Sequence, residues 1–105
     1  MNAPKGMPSM LVKIRFFATI REKAGKKEVE VNVQGESIDM LNLIRLISDK
    51  VGEEFRRTVL DPETQKVRQY IKVMVNGRDI ESLNRLKTAV KDGDIVQIFP
   101  PVGGG

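Results

Sequence analysis

Cysteine and histidine are both absent from the 105 residues of this chain. Without them, the protein has no thiol nucleophile, no zinc site of the cysteine–histidine type and no histidine to act as a general acid or base. Any covalent chemistry therefore has to use a hydroxyl, an amine, a carboxyl side chain or a chain terminus. We accordingly expect no bound metal ion.

Long hydrophobic runs are absent as well. No apolar stretch approaches the roughly 20 residues that span a bilayer, and residues 1–9 lack the apolar centre of a secretory signal. We therefore expect a cytoplasmic protein with no membrane partner. The net charge of +4 comes from 18 basic and 14 acidic residues that alternate along the chain. Since no basic block stands out, we expect no nucleic-acid partner, whereas a partner with an acidic face would suit the mild positive charge.

Alternation of apolar and polar residues predicts the strands of a sheet. Only a short segment containing Gly25 separates the first two strands, which indicates a hairpin. Asn76-Gly77 is a tight-turn signal that leads into a further short strand. The predicted strands are residues 10–17, 28–33, 70–75, 78–80 and 95–99.

One main helix is expected between the second and third strands. Apolar residues recur at helical spacing from Met40 to Val51 and define one stripe. We assign Ser37 as the N-cap of this helix and Gly52 as its stop signal. Residues 53–60 are expected to add a further short helical turn.

This order of elements predicts an α+β fold of the β-grasp, or ubiquitin-like, type. In this arrangement a mixed sheet of four to five strands packs on one main helix. We expect the domain to span residues 10–99, after a disordered extension over residues 1–9. A flexible glycine tail over residues 100–105 is expected to follow it.

The tail, with the sequence Pro100-Pro101-Val102-Gly103-Gly104-Gly105, is the segment most suited to chemistry. Proline fixes φ and keeps the base of the tail extended, and the glycines, which lack side chains, can enter a narrow slot. ATP can convert a terminal carboxylate into an acyl-adenylate, which sulfide, a persulfide or an amine then attacks. In a chain without cysteine, reactive sulfur would be carried as a thiocarboxylate on Gly105. The alternative is that the glycines are a frayed end or an expression remnant.

The chain resembles the small subunit of molybdopterin synthase and its archaeal relatives among the ubiquitin-like sulfur carriers. The C-terminal motif, in which residues 92–96 lead into residues 99–102 and the terminal glycines, is the most diagnostic part. Supporting stretches are Phe16-Phe17-Ala18, Arg21-Glu22, Gly25 and Val75-Asn76. The family ends in two glycines and this chain in three, so trimming of Gly105 before activation stays open.

The resemblance implies a cycle that is centred on Gly105. An adenylating enzyme would use ATP to activate its carboxylate, and a sulfur donor would convert it to a thiocarboxylate. The tail, including Gly103 and Gly104, would then enter the large subunit of molybdopterin synthase and deliver sulfur to a pterin precursor. The chain itself would be a non-catalytic, sulfur-donating subunit with no permanently bound cofactor. The resemblance also implies an apolar docking patch, formed here by Phe17, Ile80 and Phe99.

Two other functions remain open at this stage. The same tail would serve a ubiquitin-like modifier that is conjugated to lysines through its C-terminal glycine. A β-grasp module that binds RNA without covalent chemistry is the third hypothesis, although no basic stripe with interleaved aromatic residues supports it. The sequence also leaves open the metal (molybdenum or tungsten), the client (a pterin, a thiazole or a transfer RNA) and the oligomeric state.

Overall fold

The computed structural model of the protein describes residues 8–101, which contain strands, helices and two short 3-10 turns. The strands are β1 Ser9–Phe16, β2 Glu28–Gln34, β3 Ile38–Asp39, β4 Lys72–Val75, β5 Arg78–Asp79, β6 Ala89–Val90 and β7 Ile95–Phe99. The helices are α1 Ala18–Ala24, α2 Met40–Val51 and α3 Glu53–Val59. The 3-10 turns are Ile80–Ser82 and Arg85–Lys87.

The main sheet has five strands in the order β2-β1-β7-β4-β5. β7 lies between β1, to which it is parallel, and β4, to which it is antiparallel. β3 and β6 form a separate two-stranded sheet. This mixed sheet, with helices on one side, confirms the α+β, β-grasp prediction.

Alternation along the strands separates a buried face of the sheet from an open one. The side chains of Met10, Val12, Ile14 and Phe16 in β1 are all buried, while their neighbours on the strand are exposed or half-buried. Phe16 meets Phe55 of α3 edge to face, with ring centroids 5.3 Å apart and an angle of 72° between the rings. The helices therefore cover one face of the sheet and leave the other to solvent.

The connection between β1 and β2 differs from the prediction. The two strands pair in antiparallel fashion, but α1 lies between them, so they are not joined by a tight hairpin turn. Ile20 and Ala24, four residues apart, bury one side of this short helix. Gly25 ends the helix with φ +79, and its N–H donates to the carbonyl of Arg21. The glycine that indicated a turn is thus a helix C-cap.

The N-cap of α2 is Asp39 and not Ser37. The Asp39 carboxylate accepts a hydrogen bond of 2.8 Å from the backbone N–H of Asn42. The prediction of Ser37 was wrong because the chain stays extended beyond it, where Ile38 and Asp39 pair with Val90 and Ala89. Gly52 does end the helix as predicted.

The predicted terminal extensions lie largely outside the described part of the chain. Ser9, which was assigned to the N-terminal extension, is instead the first residue of β1. The carbonyl of Pro8 accepts a hydrogen bond of 2.9 Å from the N–H of Gly35. Residues 1–7 and 102–105 are not described, so the expected disorder of the extension and flexibility of the tail stay predictions.

Replacing Asp39 by alanine should destabilise the protein by about 1 kcal/mol, because the N–H of Asn42 would lose its acceptor at the start of α2. Chemical denaturation with urea would measure this change. Ser37→Ala is the matched control, and it should leave the free energy of unfolding nearly unchanged. Equal losses in the two variants would contradict the assignment of the cap.

Candidate functional site

The described part of the tail leaves the body from the most constrained strand of the sheet. In β7, Ile98 is paired with Phe16 of β1, and Phe99 is paired with Lys72 of β4. The N–H of Phe17 also donates to the carbonyl of Ile98, at 3.2 Å. Pro100 has no N–H and ends the ladder at the next residue. The position at which the tail departs is therefore fixed from both sides.

Phe17 and Phe99 form a stacked pair at this exit. Their ring centroids are 4.4 Å apart and their planes are inclined by 12°. Both side chains are half-buried. The backbone of Phe17 is extended, with φ −123° and ψ 143°, so its side chain continues the outward-facing row of β1. The structure thus brings these two predicted docking residues together as one apolar surface beside the tail, and their role in docking stays a prediction.

Ile80, the third predicted docking residue, does not belong to this surface. Its side chain is only 2% exposed and is part of the hydrophobic core. The sequence suggested a strand that continues through Ile80, but β5 ends at Asp79 and a 3-10 turn begins at Ile80. The turn rotates the side chain inwards, so assigning Ile80 to the docking patch was wrong.

An ion pair lies beside Phe99 on the open face of the sheet. Lys72, which is paired with Phe99, forms an ion pair of 3.2 Å with Asp79 on β5. The N–H of Glu81 donates to the Asp79 carboxylate at 2.9 Å. This hydrogen bond is the main reason why the pKa of Asp79 lies below its ordinary value. Burial raises the pKa by a smaller amount, and Lys72 lowers it further.

The diagnostic motif before β7 has a structural role at the opposite end of this strand. The side-chain amide of Asn76 donates to the Asp94 carboxylate at 2.8 Å, and its oxygen accepts from the N–H of Ile95 at 2.9 Å. The other Asp94 oxygen accepts from the N–H of Lys91 at 2.8 Å. Sequence reasoning treated Asn76-Gly77 and the turn at residues 92–94 separately. The sequence signal for this contact was that each segment is a polar turn next to a predicted strand.

Two kinds of feature are absent from residues 8–101. No helix in this range is long and apolar enough to cross a membrane. No group of three or more histidine, cysteine, aspartate or glutamate side chains in the same range is arranged to hold a metal ion. The predicted reactive end, Gly103 to Gly105, lies outside the described residues.

The fold is that of a ubiquitin-like protein, and the similarities to known proteins place the chain in the sulfur carrier and modifier class. The chain belongs to the ThiS family, whose model it matches over residues 14–105. The resemblance drawn from the sequence is confirmed at this level.

Relatives in this class carry different names. Small archaeal modifier protein 3 of Haloferax volcanii is 34% identical over 96 residues, which cover 91% of this chain and 100% of that protein. A candidate sulfur carrier protein of Archaeoglobus fulgidus is 28% identical over 96 residues, with the same coverage of 91% and 100%. The solved structure of a candidate molybdopterin converting factor, subunit 1, from Pyrococcus furiosus has a TM-score of 0.67 and 31% identity, covering 89% of this chain and 99% of that chain.

The stacked rings of Phe17 and Phe99 should be energetically coupled. In a double-mutant cycle of Phe17→Ala and Phe99→Ala, we expect a coupling free energy of about 0.5–1.5 kcal/mol. Urea denaturation of the wild type, both single variants and the double variant would measure it. Phe17→Ala combined with Leu11→Ala is the control and should be additive, because the two residues are six positions apart along extended backbone, roughly 20 Å. Additivity of the Phe17 and Phe99 changes would contradict the stacking.

Asp79 should make the stability of the protein depend on pH in acid. Since the folded state lowers its pKa, the stabilisation is fully present above the unfolded pKa of about 4 and is lost as the pH falls through the folded pKa. NMR titration of the Asp79 carboxyl carbon would measure the shift. Lys72→Gln should remove only part of it, because the N–H of Glu81 remains. A normal Asp79 pKa in the wild type would contradict this account.

Proposed function

We propose that the protein is a sulfur carrier whose Gly105 carboxylate is adenylated and then converted to a thiocarboxylate. The sulfur is donated in the biosynthesis of molybdopterin, the organic part of the molybdenum or tungsten cofactor. In this role the chain is the non-catalytic small subunit of molybdopterin synthase and works in the cytoplasm. ATP is consumed by the adenylating enzyme, and this chain holds no permanent cofactor.

The observation that carries this proposal is the placement of the tail base. The strand that leads into the tail is the central strand of the sheet, and the Phe17–Phe99 pair lies at its end. A partner that binds this apolar pair is positioned to receive the chain that leaves at Pro100. Because the glycines have no side chains with which to make contacts, recognition has to use the body of the protein while the end of the tail reacts.

The chemistry of activation follows from the carboxylate. An oxygen of the Gly105 carboxylate attacks the α-phosphorus of ATP, and pyrophosphate leaves. A persulfide on the sulfur donor then attacks the acyl carbon of the adenylate, and AMP leaves with the electrons of the broken C–O bond. A thiol cleaves the acyl disulfide, which releases the thiocarboxylate and leaves a disulfide on the donor side. The chain itself needs no nucleophilic side chain in these steps, in agreement with its lack of cysteine.

The client in this proposal is a pterin precursor in the large subunit of molybdopterin synthase. Support comes from the likeness to the Pyrococcus furiosus protein and from the C-terminal motif of residues 92–102. The partners are therefore the large subunit, an adenylating enzyme and a sulfur donor.

Conjugation to lysine is the second candidate function. It is favoured by the similarity to small archaeal modifier protein 3 of Haloferax volcanii. The activation step is the same, but a lysine amine of a target protein attacks the acyl-adenylate and forms an isopeptide bond. The two functions differ in the acceptor, not in the carrier.

Mass spectrometry of the protein isolated from its own host should detect a fraction in which one oxygen atom is replaced by sulfur. A variant without Gly104 and Gly105 should carry no sulfur and should not support molybdopterin synthesis. Phe17→Ser keeps the tail. It should weaken binding of the partners and leave the intrinsic reactivity of the Gly105 carboxylate unchanged. If only the unmodified carboxylate is found although active adenylating enzyme and sulfur donor are present, the carrier proposal is wrong.

The same samples distinguish the modifier function. Glycine remnants on host lysines, found by mass spectrometry after digestion, would assign conjugation. Trypsin is unsuited because no lysine or arginine follows Lys91, so a protease with another specificity is required. Remnants without any sulfur-bearing carrier would favour the modifier as the sole function.

A further inference from the structure

A groove lies between two segments that the proposed sulfur chemistry does not use. One wall is the loop of residues 66–71, and the other is the segment of residues 80–87 that contains both 3-10 turns. The groove has a volume of about 670 Å³, within the size range of protein ligand sites. We call it the lateral groove.

Both walls of the lateral groove are built by specific hydrogen bonds. In the first, the N–H of Asp61 donates to the carbonyl of Lys66 at 2.8 Å, and Val67 bridges to Leu60. In the second, the N–H of Asn84 donates to the Thr88 hydroxyl at 3.1 Å. The groove is thus a shaped feature of the fold and not a gap beside loose chain.

The groove combines an apolar lining with a positively charged rim. Val67, Ile71 and Leu86 line it, are half-buried and pack against the core. The rim carries four exposed cations, which are Lys66, Arg68, Arg85 and Lys87, and one carboxylate, Glu81.

Two of the four rim cations, Lys66 and Lys87, are not neutralised by the described residues. Glu81 pairs with Arg85 at 3.3 Å. Within residues 8–101, neither Lys66 nor Lys87 forms an ion pair. The Nε–H of Arg68 donates to the carbonyl of Arg57 at 2.6 Å, and its charge adds to the backbone hydrogen bonds in lowering the pKa of Asp61, so this cation is partly offset by a carboxylate. The rim therefore keeps a net positive charge that a ligand carboxylate can neutralise.

An exposed aromatic side chain stands next to the groove. Tyr70 is 68% exposed, and its neighbours Gln69 and Ile71 both line the groove. Together with Leu11, it is one of two large hydrophobic side chains exposed in the described residues. Tyrosine at such a position is a frequent anchor of protein interfaces, because it offers a large contact area at low entropic cost.

The lining favours a peptide over a nucleic acid. Single-stranded nucleic acids bind mainly by stacking of bases on aromatic side chains combined with phosphate contacts. The apolar part of the groove lining is aliphatic, and none of the lining residues is aromatic. Aliphatic contacts inside a ring of cations match a segment that alternates leucine-like and acidic residues.

We propose that the lateral groove is a docking site for an acidic, apolar segment of a partner protein. Carboxylates of the segment bind Lys66 and Lys87 at the rim, its apolar side chains contact Leu86 and Ile71, and Tyr70 packs against its flank. The site is distinct from the Phe17–Phe99 pair and does not depend on the chemistry of the tail.

The test uses the full chain and a fluorescent peptide of alternating glutamate and leucine. Binding is measured by fluorescence anisotropy and mapped by amide chemical shifts. We expect shifts concentrated at residues 66–71 and 80–87, and binding that weakens as salt is added. The double variant Lys66→Glu with Lys87→Glu should bind roughly tenfold more weakly, because two rim attractions become repulsions.

The matched control is Lys26→Glu with Lys27→Glu. It makes the same change of charge at two exposed lysines that precede β2, at the opposite edge of the sheet from β5, and it should bind the peptide with nearly unchanged affinity. Circular dichroism confirms that both variants remain folded. Peptides with glutamine in place of glutamate, or serine in place of leucine, should each lose binding.

Several outcomes would overturn the proposal. Equal losses in the two double variants would show nonspecific attraction, and peptide shifts at Phe17 and Phe99 would assign binding to the open sheet face. An RNA oligonucleotide that binds the groove more tightly than the peptide would assign the site to nucleic acid. Shifts of the same residues on dilution of the free protein would assign it to a second copy of the chain.

Discussion

The fold depends on the position of β7 between β1 and β4. A strand with neighbours on both sides has its N–H and C=O groups engaged in two ladders, so it is much harder to displace than an edge strand. Here that strand pairs in parallel with β1 up to Ile98 and antiparallel with β4 up to Phe99. The tail therefore starts at Pro100 from a fixed position, and the ring of Phe99 is held where Phe17 stacks on it.

The residues that characterise the sequence divide between the two ends of β7. At its start, Asn76 and Asp94 tie the turn after β4 to the turn before β7 by side-chain hydrogen bonds. The carbonyl of Leu11 in β1 accepts from the N–H of Gly93, at 2.9 Å. At the other end are the prolines and the glycines. Most of the diagnostic motif therefore positions the strand, and the chemistry proposed above belongs to the residues beyond Phe99.

The sheet was predictable because each of its long strands has one buried face, which imposes a period of two on the sequence. The errors occur where local signals compete. Gly25 is compatible with a turn and with a helix C-cap, and only the packing of Ile20 and Ala24 against the body selects the helix. Ile80 follows a short strand, and a 3-10 turn that begins at this residue places its side chain in the core and not on the open face. Ser37 and Asp39 are both good N-caps, and pairing of residues 38–39 with residues 89–90 decides between them.

The composition of the tail determines where specificity has to reside. A carrier that passes its end from an adenylating enzyme to a sulfur donor and then to a client offers the same glycines to each of them. Those glycines have no side chains with which to distinguish one active site from another. Discrimination between partners must therefore come from the body, through surfaces of different chemistry. In the functions proposed above, the aromatic pair at the exit and the cationic lateral groove would meet that requirement, because a partner complementary to one is not automatically complementary to the other.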